Sequence, residues 1–287
     1  MEENLYHINN LHIITIATEP KYYFDYLKQS CEKNGKNLEV LGFGEEWKGF
    51  LWRFLLILDY IKKLKPDDIV CFVDGYDVIC VRDLSELKDE FLKIRRREKC
   101  KIIVGMEIHL DKGIIPSLVF GKCKGLSINA GTYIGYVKDI NEVLNNTYKL
   151  NPDIKADDQL LITKYCNNTE NDIYIDKNNE FFLTIVNEYN ELDELIKIHK
   201  NEVIYNEKKP FFIHGPSNTY LDNIIIKLGY KYNYNNKIKD LIYENYFTKK
   251  KEQILNYIYQ YKESIYLIII IIILLIFLYK KFKISKI

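Results

Sequence analysis

Along the first hundred residues, short unbroken apolar runs alternate with longer stretches in which apolar residues recur at helical spacing. Ile69–Val73 is a run of five apolar residues between the acidic pair Asp67-Asp68 and two spaced carboxylates, Asp74 and Asp77. Such a run predicts a strand buried on both faces, as in a parallel sheet. Residues 12–18, 38–41 and 101–106 read as further strands. Helical spacing covers 21–33, 51–64 and 84–97, with stops at Asn34-Gly35 and before Pro66. The alternation predicts an α/β fold, a mostly parallel sheet with helices on both faces.

Beyond Glu107 the pattern loosens. Residues 128–136 read as a glycine-punctuated strand, where small residues let a ligand or another backbone come close. Helices are expected at 139–149, 157–165 and 219–228, and short strands at 173–175, 181–185, 202–205 and 210–213. Residues 233–263 are polar and tyrosine-rich and read as a stalk. Residues 265–279 are all apolar or Tyr, six successive isoleucines among them, with lysines on both flanks. That pattern predicts a C-terminal transmembrane helix over 264–281, ahead of a short basic tail, 282–287. The expected organisation is a folded domain over 1–232, held by its stalk to a lipid bilayer as a single-pass tail anchor. The acidic amino terminus does not read as a signal peptide.

Composition changes this picture little. A net charge of +1, with acids and bases interspersed, argues against a nucleic-acid partner. The six cysteines contain no Cys-x-x-Cys pair, and their simplest reading is reduced thiols.

Candidate chemistry gathers at predicted strand ends and helix starts. Asp74 and Asp77 follow a buried strand, at the edge where open α/β sheets place ligands, and Gly75 lets the chain turn tightly between them. Two converging carboxylates suit a hard divalent cation that could hold a diphosphate; the plainer reading is a solvated turn. Asp157 and Asp158 stand where a helix begins, as capping residues or as groups facing a cleft. His214 ends a strand, as a structural hydrogen-bonder or as a ligand. Asn129 and Gly131 mark a turn or bulge, or a close approach. No phosphate-binding glycine loop, nucleophile elbow or zinc pattern is present.

Taken in order, these blocks resemble a nucleotide-sugar glycosyltransferase of the GT-A type. The resemblance is closer to the glycosyltransferase domain of the procollagen lysyl hydroxylases and their viral relatives. It is carried by Ile14-Thr15-Ile16-Ala17-Thr18, by Leu41-Gly42-Phe43-Gly44-Glu45-Glu46-Trp47-Lys48-Gly49, and by Phe72-Val73-Asp74-Gly75-Tyr76-Asp77-Val78. Downstream it continues through Asn129-Ala130-Gly131, Asp157-Asp158-Gln159-Leu160, Ile175-Asp176 and Ile213-His214-Gly215. It implies a GT-A-like, Rossmann-type sheet and a metal-dependent transferase that moves glucose or galactose from a UDP-sugar to a hydroxyl acceptor. Asp74, Asp77 and His214 would hold Mn2+; Thr15, Trp47, Tyr76 and Asn129 would line the donor site. Asp157 and Asp158 would face the donor sugar and the acceptor hydroxyl. The implied acceptor is a protein or glycan hydroxyl, hydroxylysine or galactosyl-hydroxylysine of a collagen-like protein. The implied location is a host endomembrane or virion membrane if the source is viral.

Three departures bear on sugar and acceptor recognition more than on metal binding. The family's acidic run before Asp157 is reduced to Asp153-Ile154-Lys155-Ala156. Its tryptophan is missing from residues 108–116, and His214 is followed by Gly215-Pro216-Ser217-Asn218. The rival reading is a catalytically inactive module that binds nucleotide-sugar or glycan.

Overall fold

The computed structural model describes residues 9–107, 121–185, 196–199, 202–216 and 219–232, together with Tyr266, Ile269, Ile270 and residues 272–276. Five strands of the main sheet run one way: β1 (Leu11–Ile16), β2 (Leu38–Leu41), β3 (Ile69–Val73), β5 (Ile102–Met106) and β7 (Ile173–Ile175). The sixth, β6 (Ile128–Tyr136), lies antiparallel between β3 and β5, giving the order β2-β1-β3-β6-β5-β7. The mostly parallel sheet expected from the apolar runs is therefore present, interrupted by one reversed strand.

Alternation of side chains along each strand divides the core into two layers. On one face Ile14, Val70 and Phe72 pack with the helices α2 (Phe50–Ile61), α4 (Val137–Leu150) and α5 (Asp158–Asn167). On the other, Ile13, Cys71 and Val73 pack with α1 (Phe24–Lys33) and α3 (Leu87–Glu98). β3 is buried at every position, as its unbroken apolar run requires.

A second, three-stranded sheet completes the edge that matters. In it β11 (Phe212–His214) pairs in parallel with β8 (Phe182–Thr184) and antiparallel with β4 (Val78–Cys80). The described remainder of this region is a hairpin of β9 (Ile196–His199) and β10 (Glu202–Tyr205), and a short helix α6 (Asp222–Lys227).

Two expectations are corrected. Among the described residues no helix is long and apolar enough to cross a membrane. The unbroken apolar run in the sequence, 265 to 279, is fifteen residues, fewer than the roughly 20 that a hydrocarbon core of about 30 Å asks for. The remainder of 264–281 lies outside the described residues, as does all of 233–263. The tail anchor, the membrane location and the bilayer partner are accordingly not supported. The thiols are also not all reduced, because Cys123 and Cys166 form a disulfide while Cys31, Cys71, Cys80 and Cys100 are free and buried. By contact the chain divides into two units, Met1–Lys239 and Asp240–Ile287, and the sheets belong to the first.

Candidate active site

The site is assembled by the two sheets meeting at the carboxyl end of β3. Asp74 continues the β3–β6 ladder by one residue, its amide donating to Gly131 O at 2.8 Å. Asp77 leads into β4, which pairs with β11 so that His214 stands opposite Val78. The Gly215 amide donates to Asp77 O at 2.8 Å and fixes that register. Three residues distant in sequence thus present ligand atoms within 4.8 Å of one another: Asp74, Asp77 and His214. His214 Nε2 lies 3.2 Å from Asp77 Oδ1 and 3.7 Å from Asp74 Oδ2. The side chain of His214 is only 2% exposed, while those of Asp74 and Asp77 keep 25% and 27%, so the cluster opens on its carboxylate side.

Gly131 makes the convergence possible. A Cβ there would overlap Asp74 Oδ2 and approach within 2.6 Å of His214 Cε1. Its backbone is ordinary strand, so the requirement is space and not a left-handed conformation. Gly75 is constrained in the same way, since a Cβ would meet Ile16 O at 2.6 Å.

Arg53 was not legible as a site residue, yet it joins the two acidic clusters. It sits on α2, is 8% exposed, and donates one arm to Asp74 Oδ1 and the other to Asp158 Oδ2. Its guanidinium also lies near the rings of Phe50 and Phe72. The signal for it was an arginine inside the apolar run Phe50-Leu51-Trp52-Arg53-Phe54-Leu55, because a buried guanidinium requires carboxylate partners. Glu107 was missed too. It follows β5, beyond an irregularity between Val104 and Gly105, and accepts from Asn129 Nδ2 at 2.7 Å.

The structure distributes the other expected residues unevenly. Asp157 caps α5, its Oδ1 accepting from the Leu160 amide at 2.8 Å, and Asp158 follows it toward Arg53. Asn129 is buried beside His214, 3.1 Å from its Nδ1. Tyr76 turns its hydroxyl to the end of β1, accepting from the Thr18 amide at 2.9 Å. Thr15 is fully buried, its hydroxyl donating to Val73 O at 2.7 Å beneath the Asp74 turn. Trp47 is 44% exposed on the loop before α2, edge-on to Phe50 and Trp52.

Electrostatics single out the same groups. Burial raises the pKa of Asp74; Arg53 opposes the rise and Asp77 adds to it. Burial likewise raises Asp158 against the pull of Arg53. Burial and the neighbouring Asp158 push Asp157 up to about 6. Burial disfavours a charged His214, but Asp77 and Asp74 outweigh it and the net shift is upward. Asp74, Asp77, Asp157 and Asp158 outnumber Arg53 and His214 in this cluster, and such an excess of carboxylates favours a cation.

The comparisons fall on this architecture. The family model described as the PLOD GT domain matches residues 7–245. The chain belongs to that family. It is similar to the multifunctional procollagen lysine hydroxylase and glycosyltransferase of Caenorhabditis elegans, with 27% identity over 77% of this chain and 32% of that protein. It is also similar to a procollagen-lysine,2-oxoglutarate 5-dioxygenase of Drosophila melanogaster, with 29% identity over 54% of this chain and 22% of that one. The chain therefore spans about a third or less of these relatives. Among solved structures, a glycosyltransferase involved in glycosylation of the major capsid of PBCV-1 aligns with a TM-score of 0.45 and 14% identity, over 71% of this chain and 94% of that chain. The galactosyltransferase LgtC aligns at 0.42 and 14%, over 72% and 88%. As a PLOD-type glycosyltransferase domain, the chain carries the acidic edge on the sheet end where an α/β fold receives a ligand.

Proposed function

We propose that this PLOD-type domain is a metal-dependent transferase that moves glucose or galactose from a UDP-sugar to a hydroxyl acceptor, with Mn2+ held by Asp74, Asp77 and His214. The observation that carries the reading is the donor set itself. His214 Nε2 and Asp77 Oδ1 are buried, face each other, and have no hydrogen-bond partner among the described residues. The two carboxylates suit Mn2+, and the imidazole adds a ligand that first-row divalent metals accept. When bound, the cation supplies positive charge against the diphosphate leaving group.

The chain's own residues supply the remainder. Asp158, tied to Arg53, is an oriented carboxylate on the sugar side of the pocket. Asp157, capped onto α5 and raised toward neutrality, is suited to pass a proton at the acceptor hydroxyl. Tyr76 and Trp47 offer aromatic surface to the uridine. Hydroxylysine or galactosyl-hydroxylysine in a collagen-like protein is the acceptor that the relatives' names favour.

The test is a donor panel: the purified chain with Mn2+ and UDP-glucose, UDP-galactose, UDP-xylose or UDP-N-acetylglucosamine, with UDP release as the readout. Turnover of a UDP-hexose supports the proposal. UDP binding with no turnover of any donor, with or without a hydroxylysyl peptide, contradicts it and favours a non-catalytic binding module.

A further inference from the structure

Behind the proposed metal ligand lies a relay of hydrogen bonds whose polarity can be read without ambiguity. An asparagine's oxygen and nitrogen are ordinarily interchangeable in a structure and must be assigned from their partners. For Asn129 the partners decide. The backbone amide of Gly131, which can only donate, points at one end of the side chain at 2.9 Å. A Glu107 carboxylate oxygen accepts from the other end at 2.7 Å. The end facing Gly131 is therefore Oδ1, and the same Oδ1 lies 3.1 Å from His214 Nδ1. An oxygen there can only accept, so Nδ1 must carry the proton.

We infer that Glu107 and Asn129 are positioning residues that fix the ring and tautomer of His214, leaving Nε2 as the lone-pair donor aimed at Asp74 and Asp77. The inference rests on the metal reading above and assigns Asn129 a task other than touching the donor. Outer partners of this kind commonly change metal affinity by 10–100-fold. Both residues are nearly inaccessible, Glu107 at 5% and Asn129 at 3%. The β5 irregularity between Val104 and Gly105 precedes Glu107, and such irregularities commonly re-aim a side chain next to a site.

The experiment measures Mn2+ affinity by electron paramagnetic resonance, on the full chain and with no nucleotide-sugar present. A contact to donor alone would leave this quantity unchanged. Asn129→Leu, which keeps the shape and removes the acceptor, is expected to bind Mn2+ about 10–100-fold more weakly. The double variant Glu107→Gln with Asn129→Asp restores the polarity, because the Gln amide donates to the Asp and the Asp still accepts from His214. It is expected to return close to wild-type affinity. Equal affinity in Asn129→Leu and wild type, or a double variant as weak as Asn129→Leu, overturns the inference. The imidazole 15N spectrum of His214, taken where the ring is neutral, reads the tautomer independently of any metal. A proton on Nδ1 supports the relay and a proton on Nε2 overturns it. Wild type that fails to bind Mn2+ while keeping the Nδ1 proton would defeat the metal reading and not this one.

Discussion

Asp74 and Asp158, carried by a strand end and a helix start 84 positions apart, are bound to opposite arms of the same guanidinium, that of Arg53. Removing Arg53 would leave Asp158, which is buried, and Asp74, which is partly buried, without their shared counter-charge. Arg53→Met is expected to lose about 3–5 kcal/mol of stability in urea unfolding, the usual cost of breaking a buried pair from one side. Arg53→Lys keeps the charge but not the fork, and its loss should be intermediate. Unchanged unfolding of Arg53→Met would refute the clamp.

Gly131 sets the spacing of the proposed ligands. In Gly131→Ala the new methyl would occupy the space between Asp74 and His214. Far-ultraviolet circular dichroism should stay native while Mn2+ affinity falls by about 100-fold or more, past the range typical of outer-shell partners. Native affinity in this variant would mean the three side chains do not converge as described.

Asp157 combines a helix cap with an ionisation that the fold resists, and the two can be separated. Its pKa is raised to about 6, from an ordinary value of 3.8. Below the ordinary value both folded and unfolded states hold the proton, and burial costs nothing. As pH rises from 4 to 6 the unfolded chain ionises first, so this group progressively lowers stability. Asp157→Asn keeps a capping oxygen and removes the charge. In the metal-free protein it should be more stable than wild type at pH 7.5, by up to about 3 kcal/mol, and should match it near pH 4. A variant that loses stability equally at both values would show that the cap dominates.

Much of the fold was readable because β3 is an unbroken apolar run between polar stops and β1, β2 and β5 are short and mostly apolar. The edge carrying Asp74 and Asp77 followed directly from that run. What escaped depends on partners remote in sequence. β4 is three residues long and exists because β11 pairs with it from 134 positions away, Ile79 with Ile213, which sets Val78 opposite His214. The reversal of β6 leaves no mark on residues 128–136, whose apolar and glycine pattern is the same in either direction. Arg53 looked like one basic residue on an apolar helix, since the carboxylates it joins come from other elements. The pairing of Cys123 with Cys166 crosses 43 positions and involves no spacing motif.

That disulfide can be counted and weighed. The denatured, unreduced chain should show four titratable thiols, rising to six after reduction. The bridge joins the start of the β6 region to α5, which carries Asp158. Cys123→Ser with Cys166→Ser should lose about 2–4 kcal/mol, in line with chain entropy for a loop of this size. Six thiols before reduction would contradict the pairing.

The central claim is that Asp74, Asp77 and His214 hold a cation on which sugar transfer depends. The most direct measurement is UDP release from the preferred UDP-hexose after chelator treatment, with and without added Mn2+, in wild type and in Asp77→Ala. We predict that wild type is inactive when stripped and recovers with Mn2+, and that Asp77→Ala remains about 100-fold or more below it at any Mn2+ concentration while melting normally. Full activity in the stripped wild type, or an Asp77→Ala protein as active as wild type, would contradict the account.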